Sequence, residues 1–302
     1  MTAVNYKYSY SLIYENTLVR SNTALLFPIT IVLDAKFPKL IASSQTFLAN
    51  SNLFITGGYK DNGDGFTLNR KTFIINVDDG RVDRLHDLPY GVFNATLAVF
   101  RRKVYLAGGL TNFDGEEVLS PLLVYDLDSN IWEEIQPRRN PDFRTNKRLK
   151  RLKSPGCCVA NGRLYYIGGV YIHSNGKETA NYDILELNLR NYTYKACKTS
   201  LDYTVAQPKC VTIGYNKILI TGGSNPFEKG SISTSYMFSI DVSLDKIASP
   251  SIPITGSYPS KFEHPIAIIG SYPFVVTYNR RKKDWDMRAI GLDENIDSDN
   301  SF

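Results

Sequence analysis

The chain has 302 residues, 43% of them apolar, and 35 Lys and Arg against 30 Asp and Glu give a formal charge of +5. This composition is enough for a sizeable core and excludes wholesale disorder. No apolar run approaches the ~18 residues of a membrane helix and the first twenty residues lack a leader pattern, so neither a membrane span nor a signal peptide is expected.

Twenty Tyr and 15 Phe against three Met favour strands, because aromatic and branched side chains suit a pleated surface. Residues 1–40 include SYSLIYENTLVRSNTALLFPITIVLDAKF, which has strand composition and no glycine pair. The segment is predicted to form part of a further repeat or to supply the strand that closes a ring.

From residue 41 a pattern recurs. NLFITGGY, KVYLAGGL, RLYYIGGV and KILITGGS each end a short apolar run in two glycines, the second at Gly58, Gly109, Gly169 and Gly223, so the spacings are 51, 60 and 54 residues. Another apolar stretch precedes each copy, and the joining residues, such as Asn161-Gly162, suit a tight hairpin. After each pair come a polar loop and two further strands, most legible in PLLVYDLDSNIWEEI, where Leu123, Tyr125 and Leu127 alternate and Asp128-Ser129-Asn130 turn into Ile131 and Trp132. KTFIINVDDGRVDRL, DILELNLRNYTYKAC and SYMFSIDVSLDKIAS occupy the same place in the other copies. Each period therefore reads as four antiparallel strands. Near the C-terminus HPIAIIGSYPFVVTYNRRKKDWDMRAIGL repeats the hairpin and third strand, with Tyr278-Asn279 where the glycines would fall. A fourth strand is expected from the N-terminal segment.

The paired glycine is not a phosphate cradle. Such a loop needs a following helix whose N-terminus faces the anion, and none of the four copies continues into a helical pattern. The pair is predicted to mark a sharp bend where a Cβ would obstruct close packing.

A four-stranded unit repeated about every 50 residues buries its faces only by stacking on its neighbours. With Gly108-Gly109, Tyr125 and Trp132 in order, the chain resembles the kelch-repeat propellers over roughly residues 41–293. The resemblance implies an all-β fold, a single kelch-type β-propeller domain over residues 1–302, built of four-stranded antiparallel blades. Six blades are preferred, with five as the rival. It further implies a module that binds other proteins through its loop face, although the family also contains enzymes, copper radical oxidases and sialic acid mutarotases among them.

Two features bear on that choice. Cys157, Cys158, Cys197 and Cys210 form no C-x-x-C, and His86, His173 and His264 are scattered, so reduced thiols and no metal or other cofactor are expected. No G-x-S-x-G or H-E-x-x-H motif occurs, and no enzyme activity is predicted. The alternative is a carbohydrate-active propeller such as a sugar mutarotase, drawing on Asp61, Asp114, Glu116 and Glu117.

The second feature is the insertion RRNPDFRTNKRLKRLK, residues 138–153. Arg138, Arg139, Arg144, Lys147, Arg148, Lys150, Arg151 and Lys153 face one acid, Asp142, for a local charge of +7, so the rest of the chain sums to 5 − 7 = −2. These eight residues are the candidate binding site. The insertion is expected to open on the face of the glycine-pair loops and to meet a protein partner with an acidic segment, or nucleic-acid phosphates without sequence specificity. Two other readings stay open, a nuclear import signal in KRLKRLK and an inert solvated loop. Ser154-Pro155 is a candidate phosphorylation site beside the charge. The chain is expected in the cytoplasm, or in the nucleus if the import signal operates.

Overall fold

The computed structural model describes residues 52–112, 122–141 and 149–201 continuously, together with 2–4, 8–14, 17–22, 29–34, 40, 44–48, 206, 208–213, 216–221, 227, 236–243, 246–253, 266–269, 272–279 and 284–289. Among these residues the fold is all-β, its one helical element being a 3₁₀ turn at Leu149–Arg151.

Among the described residues six larger sheets follow one another in chain order, their main strands forming antiparallel meanders, with two small sheets of two and three strands beside them. Sheet I holds Thr2–Val4, Tyr8–Tyr14, Thr17–Asn22 and Ile29–Val32. Sheet II holds Ser44–Leu48, Asn52–Thr56, Thr72–Asn76 and Val82–Leu85. Sheet III holds Phe93–Phe100, Lys103–Leu110, Leu122–Asp126 and Ile131–Ile135. Sheet IV holds Gly156–Ala160, Arg163–Ile167, Asp183–Asn188 and Thr193–Ser200. Sheet V holds Lys209–Ile213, Lys217–Thr221, Tyr236–Asp241 and Lys246–Pro253. Sheet VI holds Ile266–Ile269, Tyr272–Asn279 and Asp284–Ala289, and Tyr278 and Asn279 simply continue its second strand. The N-terminal segment thus forms a sheet of its own, and no strand of it pairs with sheet VI among the described residues.

Successive side chains of a strand point to opposite faces, and here both faces are buried. In Lys103–Leu110, Val104 and Leu106 pack with Phe54 of sheet II, whereas Tyr105 and Ala107 pack with Leu164 and Tyr166 of sheet IV. In Arg163–Ile167, Tyr165 and Ile167 turn instead to Ile218 and Ile220 of sheet V. This accounts for the unbroken apolar runs before the glycine pairs, where a half-exposed strand would alternate with polar residues. The first strands of sheets I to V lie beside one another in chain order.

Two recurring devices hold the units. The glycine pairs at 57–58, 108–109 and 168–169 have φ between 65° and 88°, the left-handed region, and a Cβ on Gly169 would lie 2.7 Å from the Lys153 carbonyl oxygen. The bend expected from the sequence is therefore enforced both by conformation and by contact. The turn between third and fourth strands supplies the other device. Gly80, Asn130 and Tyr192 each adopt positive φ and donate their N–H to the carbonyl four residues back, on Asn76, Asp126 and Asn188. The chain leaving the preceding sheet fastens onto this same residue. Asp34 N donates to Gly80 O at 3.1 Å, His86 N to Asn130 Oδ1 at 3.1 Å, and Arg138 N to Tyr192 O at 2.9 Å.

A buried asparagine locks the glycine bend in two sheets. Asn181, fully buried, donates through Nδ2 to the carbonyls of Gly168 (2.8 Å) and Asp183 (2.9 Å), and Asn69 does the same for Gly57 (2.9 Å) and Lys71 (3.0 Å). Replacing Asn181 by the isosteric leucine leaves two carbonyls unmatched, and a buried acceptor stripped of its donor costs about 1–3 kcal/mol. Asn181→Leu is expected to lower the urea midpoint by an amount equivalent to roughly 3 kcal/mol, with an unchanged slope.

Burial also sets the tyrosine chemistry. Burial, then Tyr192, pushes the Tyr105 phenol up to about 12, and burial pushes Tyr125 to about 12. A phenol titrating near 10 when unfolded and near 12 when folded favours the native state below pH 10. That contribution is lost as pH rises from the unfolded value towards the folded one. An alkaline titration of tyrosinate absorbance is expected to show a late group of phenols that ionise together with loss of the folded circular-dichroism signal.

Candidate functional site

The basic insertion is fastened at both ends, at its start to the edge of sheet IV and at its end to the strand that follows Gly168-Gly169. At its start Arg138–Arg139 pair in parallel with the first residues of Thr193–Ser200, Arg138 opposite Thr193 and Arg139 opposite Tyr194, adding a short fifth strand to the sheet edge. Asn140 N continues the ladder with a 2.8 Å bond to Tyr194 O. Both arginine side chains are exposed.

At its end the insertion turns inward. Leu149 and Leu152, 5% and 1% exposed, join the core between sheets III and IV with Leu164, Tyr166 and Leu187. Leu149–Arg151 forms the 3₁₀ turn, and Leu152–Lys153 then pairs antiparallel with Val170–Ile172, the strand that follows Gly168-Gly169. That strand pairs in turn with Glu178–Ala180. The Cβ-free Gly169 is what lets the backbone of Lys153 and Pro155 pass so close.

The cations at this end are engaged. Lys153 Nζ ion-pairs with Glu178 Oε1, and Arg151 Nη1 donates to the His173 carbonyl at 3.0 Å. The His173 ring lies 5.2 Å from that of Tyr171 and hydrogen-bonds through Nε2 with Thr179 Oγ1 at 2.9 Å. His173, Lys177 and Glu178 are exposed.

Of the candidate residues, Arg138 and Arg139 do not lie together with Arg151 and Lys153. Arg138 and Arg139 lie by the turn end of sheet IV, because Thr193 directly follows the 188–192 turn. Arg151 and Lys153 lie by the glycine-pair end. Lys150 sits in the 3₁₀ turn, and Arg144, Lys147 and Arg148 lie outside the described residues, as does Asp142. The expectation that the insertion opens beside the glycine-pair loops thus describes its final residues and not its first. Ser154 is only 9% exposed and has φ 53°, packed between Lys153 and a buried Pro155, so a kinase reaches it only after this end of the insertion unfastens.

Neighbouring elements complete the surroundings. The loop after Gly57-Gly58 forms a hairpin of Tyr59–Asp61 and Phe66–Leu68, with Phe66 exposed and edge-on to Tyr59, which packs on Phe93. Asp61 caps the hairpin turn by accepting from Gly63 N at 2.9 Å; Asp114, Glu116 and Glu117 lie outside the described residues. An open groove of about 650 Å³ runs between sheets II and III past Arg70, Arg84, His86 and Trp132. Its arginines are already placed, Arg84 on Asp87 at 2.7 Å and Arg70 Nε on the Leu88 carbonyl at 2.9 Å.

The four cysteines are free thiols, Cys157 and Cys158 buried and Cys197 and Cys210 half-buried, and burial pushes the Cys157 thiol well up. Among the described residues no cluster of three or more His, Cys, Asp or Glu has the arrangement to hold a metal ion. No helix there is long and apolar enough to cross a membrane.

No protein-family model matches the chain, and no curated protein is significantly similar to it.

Proposed function

We propose that the chain is a kelch-type β-propeller of six blades that acts as an interaction module or subunit of a complex, without catalytic activity of its own. The observation that carries this reading is that sheets III and IV are each buried between two neighbours while the first strands of sheets I to V lie side by side. Sheets stacked in this manner turn about a common axis, and closing the ring protects edges that an open stack would leave.

The partner contact is assigned to the basic insertion, which meets an acidic or phosphate-rich surface. It is favoured over an import signal because Leu149 and Leu152 are buried, and a segment drawn extended into a receptor groove would have to take both from the core. It is favoured over an inert loop because its ends are fastened, which lowers the ordering entropy lost when a partner binds.

The test reverses Arg138, Arg139, Arg144, Lys147, Arg148 and Lys150 to Glu, sparing Arg151 and Lys153, which hold the insertion in place. Material captured by the wild-type chain at low salt is expected to be lost both from this variant and on raising the salt. Identical capture at identical salt would remove the basic contact and leave the scaffold.

A further inference from the structure

Three arginines with no carboxylate on them gather at the turn end of the seam between sheets III and IV, away from the glycine-pair loops. Three separated segments meet there. Arg101 sits at positive φ in the turn between the first two strands of sheet III, its guanidinium 5.2 Å from the Phe100 ring centroid. Phe100 in turn lies against the Asn161-Gly162 turn of sheet IV, since a Cβ on Gly162 would be 3.5 Å from Phe100 Cζ. Tyr105, next along the seam, interacts with both Tyr192 and Arg101. The Tyr192 carbonyl holds Arg138 N, and Arg190 lies in the same turn, capped by Asn188 Oδ1 at 2.9 Å.

Arg101, Arg138 and Arg190 are exposed, and among the described residues none of the three has an ion-pair partner. The carboxylates at this end are already taken, Asp126 by Lys103 at 3.4 Å, Asp128 by Arg102 and Glu186 by Arg163, both at 2.5 Å. Those pairs discharge one another, so the arginines left over set the local potential. All three are arginines, whose planar fork matches phosphate oxygens in a bidentate manner and stacks on flat rings. Phe100 and Tyr192, both half-buried, interleave with them.

We propose that this turn-end seam is a second anion-recognition surface that takes the backbone of a single-stranded nucleic acid, with Arg101, Arg138 and Arg190 on phosphates and Phe100 and Tyr192 as flat surfaces for bases. Cations interleaved with aromatic rings are the pattern that binds single strands without reading their sequence. An acidic peptide would use the cations alone. The surface shares Arg138 with the contact proposed above but otherwise uses residues outside the insertion, so the two stand or fall separately.

Fluorescence anisotropy of the full chain with a labelled oligouridine tests it, alongside a labelled oligoglutamate and phosphatidylserine vesicles. Arg101→Glu with Arg190→Glu is expected to weaken oligouridine binding by roughly tenfold or more and to flatten its logarithmic salt slope by about 1.4, two contacts at ~0.7 each. Lys60→Gln with Lys177→Gln, both beside glycine-pair loops, is expected to change it by less than about twofold, since these residues lie outside the phosphate path. The paired Arg101→Gln and Arg190→Gln variant decides the matter if the glutamate variant fails to fold. Oligouridine binding that is absent at low salt, or indifferent to Arg101 and Arg190, overturns the proposal. So does tighter binding of oligoglutamate or of the vesicles.

Discussion

Gly57→Ala is expected to destabilise the chain by about 3–4 kcal/mol. Two costs add. At φ +66° the new residue sits in the left-handed region, which costs an L side chain roughly 1–2 kcal/mol. The Cβ also lies 2.4 Å from the Val92 carbonyl oxygen, and that carbonyl is held in place by the 2.7 Å bond from Gly58 N. Relieving the overlap breaks the bond or shifts the sheet II to III connection, at about 1–3 kcal/mol. Gly63→Ala separates the two terms, because Gly63 has φ +86° with nothing within 4 Å of the new Cβ. It is expected to cost only the conformational part, about 1 kcal/mol. Urea unfolding of both variants measures the difference. Equal costs would mean that the glycine pair serves backbone conformation alone and that the close packing contributes nothing.

Trp132→Ala is expected to cost about 3–5 kcal/mol, the range for removing a buried large aromatic. Trp132 is 7% exposed and lies in the seam between sheets II and III, its ring centroid 5.1 Å from Tyr125 and 6.1 Å from Phe54. Its Nε1 donates to Thr72 Oγ1 and to the His86 carbonyl, both at 3.2 Å, so one residue ties sheet III to both a strand of sheet II and the connection leaving it. Trp132→Phe keeps most of the packing and loses the donor, and is expected to cost about 1–2 kcal/mol. A double-mutant cycle with Phe54→Leu should give a coupling of roughly 0.5–1.5 kcal/mol. Zero coupling would mean that the two sheets do not rely on this contact.

These positions also explain what was legible in the sequence. The glycine pairs announce themselves because a left-handed bend at fixed register admits few other residues, and Asn161-Gly162 does so because both of its residues adopt positive φ. The apolar runs announce strands, and the 50-residue period announces the sheets. Asn69 and Asn181 were not legible, since they follow their glycine pairs at unequal spacing (12 residues after Gly57, 13 after Gly168) and their task becomes visible only once the carbonyls are in place.

The candidate site was legible as charge and not as placement. Leu149 and Leu152 show no helical stripe because they are anchored through a single 3₁₀ turn and a two-residue strand. Arg138–Arg139 carries no strand signal of its own, because its parallel partner lies some fifty residues onward and two residues show no period. What the charge count does not convey is that the two ends of the insertion are held at different places, Arg138–Arg139 on Thr193–Ser200 and Leu152–Lys153 on Val170–Ile172. Arg101, in the short run Arg101-Arg102-Lys103, and Arg190, in no charge run, meet Arg138 only through the fold.

Whether the sheets close into a ring is tested most directly by the distance between the first and the last of them. Spin labels at Val32, on the outer strand of sheet I, and Arg288, in sheet VI, can be compared with labels at Ile131 and Lys198 on the outer strands of sheets III and IV, with Cys197 and Cys210 replaced by Ser. The ring predicts that the first pair, 256 residues apart in the chain, gives a narrow distance distribution close to that of the second, whose sheets are neighbours. A much longer or broad distribution would mean an open stack and would contradict the propeller.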